Sequence, residues 1–287
     1  MPFGGARARP SPLDRRRPGQ NPLKRPQKPP LHLRRLENTF APSAGYDRAI
    51  TIFSPDGRLY QVEYALETVR RGSLAVGVRT NEGVVLAVEE RGRKLQSGYS
   101  VVKMFQIDDH IGAVGAGYIP DARIQVDNAR VIAQSNKLVY EEPVDIETVA
   151  KRIADLNQQY TQYAGVRPFG VSLILAGVDE NRGPVVYLTD PTGAYLSFDA
   201  IAIGAGSDQV NEYLEKNYDK GMSLDDGIRL AIECIYLVSE DKQGTAHIKT
   251  AVVDAESKMM RKLSEEEIAK SAADAKTRSD KPPNKGA

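Results

Sequence analysis

The chain has 287 residues, 41% of them hydrophobic and 27% charged, enough to bury one sizeable core and balanced as in a soluble globular protein. No apolar run reaches membrane-spanning length, no apolar segment of a secretory signal follows the first arginines, and the one cysteine, Cys234, excludes an internal disulfide framework. The net charge of +1 conceals an asymmetry: residues 1–45 carry ten basic side chains against Asp14 and Glu37, about +8, which leaves about −7 for the rest.

Residues 1–45 also hold nine of the 17 prolines and show no apolar period, so they are expected to stay disordered. From Tyr46 the pattern sharpens. Arg48–Phe53 alternates like a short strand, and Ser54-Pro55-Asp56-Gly57 reads as a tight turn. Leu59, Val62, Ala65, Leu66 and Val69 then form one helical stripe that ends on Arg70, Arg71 and Gly72. Strands are expected at Ser73–Thr80 and Gly83–Glu89, joined as a hairpin, and again at Ser100–Ile107 and Ile111–Gly115. Helices follow over Asp121–Val139 and from a cap at Asp145, the second carrying Val149, Ile153, Leu156, Tyr160 and Tyr163 before Gly165.

A second block of strands covers Val171–Val178, Val185–Thr189 and Ala194–Ile203, with a turn at Asp190-Pro191-Thr192-Gly193. Helices start at Ser207 and at Ser223, where Asp226 completes a capping box. Strands at His247–Asp254 and Met259–Lys262 and a capped helix from Ser264 close the chain, with a polar tail over 274–287 expected to fray. Hairpin-length turns imply antiparallel pairing, and strand and helix pairs come in blocks rather than alternating singly. The expected fold is therefore α+β: a four-layer αββα sandwich of two antiparallel sheets, helices on both outer faces, plus the N-terminal helix.

The run YDRAITIFSPDGRLYQVEYA from Tyr46, with YTQYAGVRPFGVSLILAG at Tyr160–Gly177, resembles α-type subunits of the 20S proteasome, the archaeal kind in particular. The resemblance covers roughly Gly45–Ala269. It implies the αββα sandwich of the N-terminal-nucleophile hydrolases and divides the chain into an extension (1–45), a gate segment with its helix (46–72), the sandwich (73–273) and the tail (274–287). It also implies a non-catalytic ring subunit that gates the passage of unfolded proteins. Its partners would be other α subunits in a heptameric ring, proteasome β subunits and the C-terminal tails of an activating AAA ATPase, with no membrane, no nucleic acid and no cofactor. A cytoplasmic location goes with these, and the single thiol fits a reducing compartment.

By that resemblance Tyr46, Asp47, Pro55 and Tyr64 match the cluster that holds the gate segments, and Lys103 matches a pocket lysine that meets the carboxylate of an activator tail. Ser73, Glu89 and Lys103 fall where the catalytic branch keeps its nucleophile, acid and lysine. They are expected to be vestigial, because Ser73 follows an amphipathic helix and an amide nitrogen is no base. Two rival readings differ in class. A self-processing hydrolase would need Ser73 at a mature N-terminus, and a nucleic-acid protein would work through the basic arm. The glycine runs Gly112–Gly117 and Gly204–Gly206 lack the lysine of a phosphate loop and read as close backbone approaches. Arg167-Pro168-Phe169-Gly170 reads as a structured turn and Cys234 as a buried apolar residue. The three histidines show no metal-ligand spacing.

Overall fold

The computed structural model describes residues 51–90, 95, 102–239 and 244–279, with the backbone alone for 274–279. Within these bounds the chain forms α1 (Tyr60–Arg70), β1 (Ala75–Arg79), β2 (Gly83–Glu89), β3 (Met104–Asp108), β4 (Ile111–Gly117), α2 (Ile119–Tyr140) and α3 (Ile146–Gln162). It continues through β5 (Val171–Asp179), β6 (Gly183–Thr189), β7 (Tyr195–Phe198), β8 (Ala200–Ile203), α4 (Ser207–Asn217), α5 (Leu224–Val238), β9 (Ile248–Asp254), β10 (Met260–Lys262) and α6 (Glu265–Ser279).

Two five-stranded sheets result, ordered β10-β9-β2-β1-β8 and β3-β4-β5-β6-β7, and every pairing is antiparallel. The strands read as continuous apolar runs because both faces are covered. Along β1 and β2, Val76, Val78, Val85 and Ala87 pack with helix residues such as Ile228, Ala231 and Ile232. Their neighbours Ala75, Val84, Leu86 and Val88 pack against Val114, Ile174 and Val186 of the other sheet. That is the period of two that alternating Cβ directions impose. On the far side Ile153, Val149, Val126 and Ala129 cover the second sheet through Leu173, Leu175 and Ala113. Three apolar layers between four structural ones make the expected αββα sandwich. Among the described residues no helix is long and apolar enough to cross a membrane.

The structure corrects several local expectations. Thr51–Phe53 is not strand, and Arg48–Ile50 lies outside the described residues. The segment Ala194–Ile203 is two strands: β7 closes one sheet against β6, and β8 edges the other against β1. Asp199 marks the crossing, and its carboxylate meets Arg79 at 2.8 Å and Lys220 at 3.3 Å. Asp145 occupies the cap position of α3 but its side chain makes no cap bond; the Asp179 Oδ1 accepts from the Ile146 N–H at 2.9 Å instead. Tyr163 is 60% exposed, because α3 ends at Gln162 and the stripe leaves the core there. α6 runs past Ala273 to Ser279. The capping boxes at Ser223 and Ser264 do form: each serine Oγ accepts the N–H three residues on, both at 3.2 Å.

Candidate functional site

The site is built where α1 hands over to β1. The stripe of α1 buries Val62, Ala65 and Val69, and the helix stops as Gly72 N–H donates to the Val69 carbonyl at 2.9 Å. No side chain fits at Gly72: a Cβ there would lie 2.2 Å from the backbone nitrogen of Gly117. The Gly72 carbonyl in turn accepts from Ala205 N–H at 2.7 Å, and Gly117 and Gly204 are the expected close backbone approaches, whereas Gly112, Gly115 and Gly206 lie against side chains. These contacts fix Ser73 at the mouth of β1.

The Ser73 hydroxyl donates to the main-chain carbonyl of Glu89 at 2.7 Å and accepts from the Lys103 ammonium. Lys103 is 8% exposed, with its own N–H held by Glu90 Oε1 at 3.0 Å. The three expected positions therefore do converge, with Ser73 reaching Glu89 through its backbone. The Glu89 carboxylate, itself buried, accepts from the Ser239 hydroxyl at 3.1 Å, and Ser239 lies 3.2 Å from His247 Nε2. Since Ser239 spends its hydrogen on Glu89, His247 Nε2 must carry the hydrogen of the second bond. Sequence reasoning missed Ser239 and His247. One follows α5 and the other precedes β9, and no spacing links either to Glu89.

The chemistry available here is limited. Ser73 is an interior residue whose nitrogen is an amide, so the base that an N-terminal nucleophile uses is missing. Its hydroxyl is locked between a carbonyl and an ammonium. Among the described residues no group of three or more acidic, histidine or cysteine side chains could hold a metal ion. Cys234 is fully buried, and burial pushes its thiol well above the usual range, so it is no nucleophile.

Of the expected gate residues, Tyr46 and Asp47 lie outside the described residues. Pro55 is exposed in the turn that Gly57 N–H closes onto the Ser54 carbonyl at 2.8 Å. Tyr64 is 52% exposed on α1 and lines a groove of about 340 Å³ with Tyr118 and Arg167. Arg167 grips the Asp121 carboxylate through both terminal nitrogens, at 2.6 and 2.8 Å, while Gly170 N–H donates to the same carboxylate at 2.9 Å. The turn at Arg167–Gly170 is thus a structural brace, and Tyr160 stacks on Phe169 with centroids 4.4 Å apart.

Comparison with known proteins gives the chain a context. Residues 69–253 match the proteasome subunit family, and residues 46–67 match the N-terminal signature of its A-type members. A proteasome alpha subunit of Methanosarcina acetivorans is 49% identical over 229 residues, 79% of this chain and 92% of that protein. The proteasome alpha subunit of Pyrococcus horikoshii is 51% identical over 230 residues, 80% and 87% of the two chains. That of Archaeoglobus fulgidus is 47% identical over 228 residues, 79% and 92%.

Proposed function

The chain belongs to the proteasome subunit family, in its α branch, and on that footing we propose that it works as the gating and docking ring of a threonine-type endopeptidase complex in the cytoplasm. It is a non-catalytic α subunit of the 20S core. In this reading seven copies form an outer ring, β subunits carry the hydrolysis, and unfolded proteins pass through the axis of the α ring. What supports a non-catalytic role is the state of Ser73: mid-chain, with its hydroxyl held by Glu89 and Lys103.

Lys103 is the residue through which an activating ATPase would dock. Its ammonium is nearly buried and already serves Ser73, so the terminal carboxylate of an activator tail would compete with that hydroxyl. A charge-assisted contact of this kind is worth about 1.5–3 kcal/mol, roughly ten- to a hundredfold in affinity. Lys103→Ala is therefore expected to abolish ATPase-stimulated degradation of an unfolded protein by assembled particles, with short-peptide hydrolysis nearly intact. Unchanged stimulated degradation would sink the docking role.

The gate cluster of Tyr46, Asp47, Pro55 and Tyr64 is proposed to act between neighbouring copies. Pro55 supplies a rigid turn, and the Tyr64 phenol faces outward from α1. α1 packs its apolar stripe on its own sheet and presents Tyr64 and Glu67 outward, so it is assigned to ring assembly. Removing residues 1–71 is expected to leave monomers in a sedimentation experiment, and intact rings from that deletion would overturn the assignment.

A further inference from the structure

The turn that carries Pro55 is closed on itself before α1 begins. Ser54, 5% exposed, is its hub. The Ser54 N–H donates to the Arg58 carbonyl at 2.9 Å, the Ser54 Oγ accepts from the Arg58 N–H at 3.1 Å, and the Ser54 carbonyl accepts from Gly57 N–H at 2.8 Å. These bonds make Ser54–Arg58 one unit, in which Pro55 presets a backbone angle and Gly57, at φ 74°, takes the left-handed conformation that closes the turn. Its tip faces outward: Pro55, Asp56 and Gly57 are exposed, and a Cβ on Gly57 would meet nothing within 4 Å.

The Arg58 guanidinium then joins this unit to the first turn of α1. Its Nε donates to Glu63 Oε1 at 2.7 Å and its Nη2 to Glu63 Oε2, while its Cζ lies 5.0 Å from the centre of the Tyr60 ring. A fork on two carboxylate oxygens over an aromatic face fixes the plane of the guanidinium, which a single-point contact would leave free to turn. The bond from Arg58 is the main cause that holds the Glu63 carboxyl below its ordinary 4.5, against the opposing effect of burial. α1 is itself anchored, because Val62, Ala65 and Val69 are buried. With 39% and 36% of the two side chains exposed, the pair adds little to global stability. What it determines is where the turn stands relative to α1.

From this arrangement we propose that Arg58 and Glu63 are positioning residues of the gate: their ion pair makes the Ser54–Arg58 turn and α1 one rigid piece, and so sets where Pro55 stands toward a neighbouring copy. The inference rests on the assignment of Pro55 to the gate. It does not rest on the docking role of Lys103. Ser54 closes the turn within itself, and Arg58 alone reaches from it to a side chain of α1 in the hydrogen bonds described here. Loss of the pair should therefore leave the turn formed but loosely placed.

The test is a double-mutant cycle of Arg58→Gln and Glu63→Gln, read in two ways. In the full chain, hydrogen exchange of the Ser54 and Gly57 amides is expected to quicken about two- to fivefold in either single variant, the worth of a partly exposed ion pair, and no further in the double variant. In particles assembled with β subunits and an activating ATPase, degradation of an unfolded protein, divided by hydrolysis of a short peptide, is expected to fall in the same non-additive pattern. Exchange at Val69, at the far end of α1, should stay unchanged. Additive effects, unchanged exchange at the turn, or quickened exchange at Val69 as well would overturn the clamp. Pro55→Gly separates the remaining outcomes. Degradation lowered by Pro55→Gly but not by either variant of the pair would overturn the positioning role and leave the gate assignment standing. Degradation unaltered by Pro55→Gly would overturn the gate assignment, and the proposal with it.

Discussion

The Ser73 cluster and the buried carboxylate of Asp179 both lie at the ends of core strands, and they differ in how their polar atoms are paired. Around Ser73, hydroxyl, carbonyl and ammonium interlock, and Glu89 continues the network to Ser239 and His247. Around Asp179, one carboxylate oxygen holds the first turn of α3 and the other has no partner among the described residues. Residues placed as in a catalytic site can thus act as a brace, while a position that reads as an ordinary strand end can bury a carboxylate oxygen without a partner among the described residues.

One substitution at each place separates the two kinds. Ser73→Ala removes an acceptor from the buried ammonium and a donor from the Glu89 carbonyl, so a loss of about 1–3 kcal/mol is expected. Chemical denaturation of the isolated chain reads it directly, and a loss below about 0.5 kcal/mol would mean that the network braces nothing. Asp179→Asn keeps the bond to Ile146 and removes a charge that had no partner, so it is expected to cost less than about 1 kcal/mol.

The same carboxyl should also show itself through pH. Burial, the largest cause, raises the Asp179 pKa above its ordinary 3.8, with Asp145 adding to the rise and the Ile146 N–H, His110 and Arg182 opposing it. Folding then takes up a proton in the window above 3.8, so this group's contribution to stability falls as pH rises through the folded-state value. Wild-type stability minus that of Asp179→Asn should slope downward there. A flat difference would contradict an unpaired, buried carboxylate.

Much of this was legible in the sequence, for physical reasons. The strands of the sandwich are buried on both faces, so they stand out as apolar runs, and the turns at Ser54–Gly57 and Asp190–Gly193 carry their own residue chemistry. Ser73, Glu89 and Lys103 were reached through resemblance and do meet. What escaped depends on partners distant in the chain. Asp145 reads as a cap until Asp179, brought in by β5, takes the Ile146 N–H. Nothing local separates β7 from β8, because the break at Asp199 is made by Arg79 and Lys220. Ser239 and His247 join Glu89 only once α5 and β9 pack beside β2.

The smallest effect comes from a carboxylate of the opposite kind. Glu267, on the first turn of α6, has its partners in place: it accepts from Ser264 N–H at 2.7 Å and from Arg261 at 2.6 Å. The Ser264 amide is the main cause, and with Arg261 it holds the Glu267 pKa down at about 2, against an ordinary 4.5. The sign is therefore the reverse of that at Asp179. The unfolded chain binds the proton first as pH falls, so the contribution of Glu267 is fully present above 4.5 and is lost progressively toward about 2. Solvent screens an exposed pair of this kind, so the change in global stability should be slight and largest at low salt. Hydrogen exchange of the first-turn amides of α6 is the more sensitive reading. In wild type their protection should fall with acid across that window, after correction for intrinsic rates, and in Glu267→Gln it should be lower at neutral pH and nearly independent of pH. Equal protection in the two chains at neutral pH would show that the reciprocal bond with Ser264 does not hold the end of this helix.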